Sequence, residues 1–295
     1  EYKVLVAAYN AWHNVLATVD FLHDLYDEDI RGAVDDFVQV LIDLGIELPE
    51  KPPIEVEEGY VAFPNEEITL GSDPEFELVR GRRIVRGVYA VPRDVRLPWG
   101  DIGVDSSEDQ VELRPHPSAS PEELVANVGK LILSIPKVVG GYPSTMSEVY
   151  PTGGHIHIGF RDPGAVVRYA TDIVDAIDAE LGEIFYSLNS ARRLNRGYGR
   201  LGDWRDQPWG IEYRTPPAAI WCHPEVALAF LGAIAHIVGE LVMKGVWNPN
   251  RDPEWAVLKR RAEVAARLVQ AYQGRLHWGA RKKWVGELRL PRAPE

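Results

Sequence analysis

Gly71-Ser72-Asp73-Pro74-Glu75-Phe76-Glu77-Leu78 sets three acids at alternate positions. In a strand, alternate residues share a face, so Asp73, Glu75 and Glu77 would form one row, with Pro74, Phe76 and Leu78 on the other side. Like charges in a row repel unless something positive lies between them. A hard cation with oxygen ligands meets that need. Taken alone, the stretch also reads as a solvated strand face.

Working outward, three further strand-like stretches repeat the device of two ligand-capable residues two apart. They are Glu112/Arg114 within 102–116, His155/His157 within 153–160, and Glu212/Arg214 within 210–215. Gly153, Gly154 and Gly159 around the histidines allow close backbone approach. If these strands turn that face toward one cavity, they gather carboxylates, imidazoles and guanidiniums that cannot stay buried and unpaired. Acids with histidine suit Mg²⁺ or Mn²⁺. Arginines suit phosphate, which a guanidinium meets as a fork. Each pair alone is ordinary on a solvated strand, and Glu287/Arg289 on the last strand is read that way. The loop 188–209 adds Arg192, Arg193, Arg196, Arg200 and Arg205, and a surface loop answering the acidic excess is its simpler reading. Asp162 reads as a helix cap and His236 as a core histidine.

The chain has 295 residues, 45% of them hydrophobic, enough for a sizeable core. A net charge of −12 argues against a general nucleic-acid binder, though not against a local phosphate site. Cys222 is the single cysteine, so no intrachain disulfide forms and a reducing compartment fits. We expect no bilayer-spanning run and no signal peptide. The periodicity divides the chain into an N-terminal helical accessory segment (1–50), a proline-rich linker (51–66) and a main domain (67–295). Within the main domain, one strand is expected over 67–79 and a partner over 83–91. Helices are expected near 120–135, 162–187, 223–243 and 252–273, with a closing strand at 283–290. Strands with antiparallel connections beside long helices predict an α+β fold.

These motifs, in this order, resemble the carboxylate–amine ligases of the glutamine synthetase and glutamate–cysteine ligase superfamily. Gly71, Asp73, Glu75 and Phe76 are similar to its acidic first strand, with Asp73 where the family usually has Glu. Glu112-Leu113-Arg114, Gly154-His155-Ile156-His157 and Glu212-Tyr213-Arg214 are similar to its later strands. The run from Arg193 through Tyr198-Gly199-Arg200-Leu201-Gly202 to Pro216 resembles the phage-encoded subgroup called COOH-NH2 ligase type 2. The resemblance spans about 67–217. It implies an antiparallel sheet curved into a funnel and backed by helices. It implies an ATP-dependent enzyme that phosphorylates a carboxylate and lets an amine displace the phosphate, forming a peptide or isopeptide amide. By position, Asp73, Glu75, Glu112, His155 and Glu212 would hold two or three Mg²⁺ (or Mn²⁺). Arg214 would meet the transferring phosphoryl group, with Glu75 and Glu212 beside it as catalytic residues. His157, Arg193, Arg200 and Arg205 would bind nucleotide or phosphate, and Arg114 the substrate carboxylate. Glu77 has no counterpart, and either an extra ligand or a strand-end acid fits it.

Other readings stay open: a guanidino or carboxylate phosphotransferase on the same fold, a metal-dependent hydrolase built on the His-x-His pair, or a non-catalytic metal- or nucleotide-binding viral protein. Expected partners are small-molecule, peptide or protein carboxylates and amines, with no nucleic acid and no membrane, and a homo-oligomer left open. The expected location is the cytoplasm, the host's if the chain is viral.

Overall fold

The computed structural model describes residues 68–272, apart from 92, 107, 147, 162 and 246, together with 276, and of 163–168 and 251 it describes the backbone. The expected accessory segment, linker and closing strand with Glu287/Arg289, as well as Asp162, lie outside the described residues.

The acidic stretch is not one strand, contrary to expectation. β1 (Ile68–Ser72) ends before Asp73, and β2 (Glu75–Arg80) begins after Pro74. Proline has no N–H for a ladder, so pairing breaks there. The chain uses the break to pass from one sheet to another. β1 joins β8 (Ile156–Phe160), β10 (Gly210–Tyr213) and β9 (Trp204–Gln207) in a four-stranded sheet ordered β1-β8-β10-β9. β2 joins β3 (Arg83–Val85), β6 (Val111–Pro115), β5 (Gly100–Val104) and β4 (Val95–Leu97), with β7 (Tyr142–Ser144) also on β2. Every strand pairing among these is antiparallel. The mixed α/β architecture with antiparallel sheets agrees with the expected α+β class.

Residues 83–91 are only partly a strand, because a helical turn, α1 (Gly87–Ala90), follows β3. The loop 188–209 also holds order that its polar composition hid. Ser190 caps α5 (Ala191–Asn195), its hydroxyl accepting from Arg193 N, and β9 pairs along β10.

Helices back both sheets. α2 (Pro121–Val138) packs on β5, β6 and β7, and α3 (Pro163–Ile177) packs on β8 and β10. Ser120 starts α2 as expected: its Oγ accepts from Glu123 N at 3.1 Å, with Pro121 at the first helical position. A π-helical turn (Asp178–Gly182) joins α3 to α4 (Glu183–Leu188). α6 (Pro224–Lys244) packs against α2, α3 and α7 (Pro253–Tyr272). Contrary to expectation, α6 has the length and hydropathy of a membrane span, yet most of that stretch is buried inside this fold. Its Val226, Phe230, Ile234, Ile237 and Leu241 enter one continuous core with Phe76, Ile158, Ile211 and Tyr213. Burying each such side chain contributes about 1.5–3 kcal/mol.

Candidate functional site

The period-2 alternation of β8 and β10 builds the site. Ile156, Ile158, Ile211 and Tyr213 face the core and are fully buried, which turns His157 and Glu212 to the opposite face. The register then sets Gly71, His157, Glu212 and Arg205 opposite one another across the four strands. This face, with Asp73 at the sheet junction and Glu112 and Arg114 from β6, lines a cleft of about 560 Å³.

Asp73, His157 and Glu212 each offer a ligand atom, and the three atoms lie within 4.8 Å of one another. Asp73 Oδ1 is 3.3 Å from His157 Nε2 and 3.1 Å from His155 Nδ1; His155 Nδ1 is 3.4 Å from Glu212 Oε1. All four atoms are buried, yet none makes a hydrogen bond. Four buried polar atoms that approach without pairing are costly as they stand. A divalent cation accepting carboxylate oxygen and imidazole nitrogen would resolve them, so these residues fit a metal. Burial raises the Asp73 carboxyl, but the charges and hydrogen-bonding reach of His155 and His157 outweigh it and hold it well below the usual carboxylate range. Burial works against the His155 imidazolium, but the facing Asp73 and Glu75 raise it above the ordinary value. The glycine signal holds here: a Cβ on Gly153 would fall 2.2 Å from His155 Nε2.

The other expected ligands sit beside this cluster. Glu75 lies opposite Glu112 in the β2–β6 ladder. Its Oε2 accepts from Gly153 N (2.6 Å) and Gln110 Nε2 (3.2 Å). Burial raises its pKa. Glu112 Oε1 accepts from Arg114 Nε at 2.6 Å. Burial, opposed by that bond and aided by Asp73 and Glu75, pushes Glu112 up to about 7. Glu77 does not reach the cleft. It is fully buried and accepts from the backbone N–H groups of Glu148 (2.9 Å), Val149 (2.5 Å) and Tyr150 (2.8 Å), fixing the segment that leads into Gly153.

The arginines divide. Arg205 lines the cleft and donates from Nε to Glu212 Oε2 at 2.5 Å, where Gln207 Nε2 also donates at 2.9 Å. Arg214 Nε is 3.4 Å from Glu212 Oε1 without a hydrogen bond, and its guanidinium lies over the Tyr198 ring at 5.4 Å. Arg114 is also tied to Asp94 (3.1 Å) and the Val104 carbonyl (2.9 Å). Arg193 is buried and donates to Asn189 Oδ1 and to the carbonyls of Thr215 (2.9 Å) and Arg214 (2.7 Å). It therefore holds the strand end that carries Arg214, and burial lowers its guanidinium to about 10. Arg200 is exposed and is not among the residues lining the cleft.

Sequence reasoning missed Gln207 and Trp209. Trp209 lines the cleft, its ring 4.9 Å from that of His157. The signal was the Gln207-Pro208-Trp209-Gly210 turn, legible only once β9 is recognised as a strand. His236 is no isolated core histidine: its Nε2 lies 2.7 Å from Asp252 Oδ2.

A comparison with curated proteins finds no match. A family of carboxylate–amine ligases matches residues 70–255, a stretch that takes in Asp73, both histidines, the two Glu-x-Arg strands and the arginine loop. With well over half of its length matched, the chain belongs to the family described as Phage phiEco32-like COOH.NH2 ligase-type 2.

Proposed function

We propose that this protein is an ATP- and Mg²⁺-dependent carboxylate–amine ligase acting on a small-molecule, peptide or protein carboxylate and an amine. The observation that carries the reading is the convergence of Asp73 Oδ1, His157 Nε2, His155 Nδ1 and Glu212 Oε1, buried and without hydrogen bonds, at a cleft edged by arginines. Asp73, His157 and Glu212 would hold a cation, with His155, Glu75 and Glu112 close enough to share further ones. When bound, the cations neutralise phosphate oxygens. Arg205 at the cleft wall and Arg214 beside Glu212 would meet charge on the transferring phosphoryl group. The carboxylate oxygen bonds to the γ-phosphorus of ATP as ADP leaves. The amine nitrogen then bonds to the acyl carbon, phosphate leaves and the nitrogen loses a proton. Arg114 would hold the substrate carboxylate once Glu112 is drawn to a cation. The curved-funnel arrangement of glutamine synthetase-like enzymes belongs to this reading, supported by the meeting of the two sheets at Asp73-Pro74. So does action in the cytoplasm, of the host where the chain is phage-borne.

The test is calorimetry with Mg²⁺ and a non-hydrolysable ATP analogue on the wild type and Glu212→Gln. Magnesium-dependent binding, weakened at least tenfold by the substitution, is expected. Equal affinity in the two proteins would overturn the site.

A further inference from the structure

Arg214 sits one row along the sheet from Gly71, His157, Glu212 and Arg205. The register, continued two residues, sets it between His155 and Asp203. Its N–H donates to the Asp203 carbonyl at 2.7 Å. Two acids face the side chain loosely, Glu212 Oε1 3.4 Å from Nε and Asp203 Oδ1 3.7 Å from Nη1, and the buried Nε makes no hydrogen bond. A guanidinium gripped by neither acid keeps its rotamer freedom unless something else fixes its plane. A flat surface lies against it: the Tyr198 ring, its centroid 5.4 Å from the guanidinium carbon.

Tyr198 stands on a loop fastened on both sides of it. Tyr198 N donates to the Arg193 carbonyl (3.1 Å), and the Gly199 carbonyl accepts from Asn189 Nδ2 (3.2 Å). The Arg200 carbonyl accepts from Thr215 Oγ1 (2.8 Å), and Gly202 N donates to Asp178 Oδ2. Gly199 has a φ of +73°, and a Cβ there would fall 2.5 Å from both Arg193 Nη1 and Asn189 Oδ1, so the loop lies this close only with glycine at 199. For all this anchoring, the Tyr198 ring stays 39% exposed. A ring so firmly carried, yet left out of the core, serves what lies against its face.

We propose that Tyr198 is a positioning residue: its ring fixes the plane of the Arg214 guanidinium so that the unpaired Nε edge stays turned to Glu212 and the cation cluster. The proposal rests on the phosphoryl role of Arg214 given above and adds what holds that arginine before substrate arrives. An aromatic face attracts the cation without taking its in-plane N–H donors, which stay free for phosphate oxygens. A carboxylate in the same place would occupy those donors and neutralise the charge. The Tyr198–Gly202 run thereby gains a task that its arginine does not explain.

The test reads the arginine directly and its ligand separately. In the wild type, the Arg214 Nε–Hε resonance, assigned by its loss in Arg214→Lys, should carry a ring-current shift and exchange slowly with water. Tyr198→Phe should keep both features and Tyr198→Leu should lose them, with melting curves confirming that each variant folds. Affinity for magnesium tripolyphosphate, measured by calorimetry, should fall about 3- to 30-fold in Tyr198→Leu and return in Tyr198→Phe, the range of a cation–π contact. Mn²⁺ affinity should be the same in all three proteins. A wild-type resonance without the ring-current shift, or an unchanged tripolyphosphate affinity in Tyr198→Leu, overturns the positioning role and leaves the phosphate site standing. Equal loss of Mn²⁺ and tripolyphosphate in Tyr198→Leu marks a general disturbance of the site and overturns it too. Wild-type protein that binds Mn²⁺ but no tripolyphosphate overturns the phosphoryl role of Arg214, and the proposal with it.

Discussion

Asp73 Oδ1 lies 3.3 Å from His157 Nε2, and neither buried atom makes a hydrogen bond. A cation binding the folded protein here stabilises it by mass action, about 2.7 kcal/mol at one hundred times its Kd. For a domain of this size that corresponds to a rise in Tm of about 5 °C or more. Mg²⁺ or Mn²⁺ should raise the wild-type Tm by this amount, and Asp73→Asn should abolish most of the rise. A melting curve that neither Mg²⁺ nor Mn²⁺ shifts, identical in both proteins, would rule the cluster out as a cation site.

Glu77 gives a contrasting prediction. Its carboxylate accepts three backbone N–H groups from 148–150, and Glu77 is not among the residues lining the cleft. Glu77→Ala strands those donors and should cost about 3 kcal/mol in urea unfolding, and Glu77→Gln less. Limited proteolysis should open first near 145–152. Cation affinity of the folded fraction of Glu77→Gln should match wild type; a large loss there would make Glu77 part of the site after all.

The contrast between Asp73 and Glu77 shows what the sequence can carry. Period-2 spacing put Asp73, Glu75 and Glu77 on one face, but burial does not alternate along β2: Glu77 is as fully buried as Phe76 and Leu78. Spacing says nothing of what lies across the ladder. Glu77 meets backbone donors from 148–150, Glu75 meets Glu112, and Asp73 has left the strand at Pro74. The same limit applies to Arg193. Its place in an arginine-rich loop suggested a phosphate ligand, but a short helix after Ser190 turns its head onto the carbonyls of Arg214 and Thr215. His157 on β8 and Glu212 on β10 were legible because burial of Ile156, Ile158, Ile211 and Tyr213 decides their facing. Trp209 was not, because a turn residue has no such pattern.

Cys222 is fully buried and its thiol is pushed up to about 12 by burial. The thiolate is the reactive form, so native protein at pH 8 should consume almost no Ellman's reagent, and protein in urea should titrate one thiol. Rapid reaction of the native form would mean that the packing around Cys222 opens readily.

Asp252 offers a pH-dependent test remote from the cleft. Its Oδ1 accepts from Glu254 N (3.0 Å) and Trp255 N (3.1 Å) at the start of α7, and its Oδ2 lies 2.7 Å from His236 Nε2. Burial raises its pKa, but the His236 contact and the two N–H groups together outweigh it and lower it below the ordinary carboxylate value. A carboxyl depressed in the folded state contributes stability above its unfolded pKa and loses it as pH falls through the folded one. Asp252→Ala should therefore cost about 1 kcal/mol at pH 7, as lost helix caps do. The gap between wild type and variant should hold down to about pH 5 and narrow below about pH 4 as the unfolded and then the folded carboxyl take up protons. Denaturant titrations of both proteins across that range check it. His236→Ala, which keeps the two N–H bonds, should lose less than Asp252→Ala at pH 7. A gap independent of pH down to pH 2 would mean that the cap works through shape and not through charge.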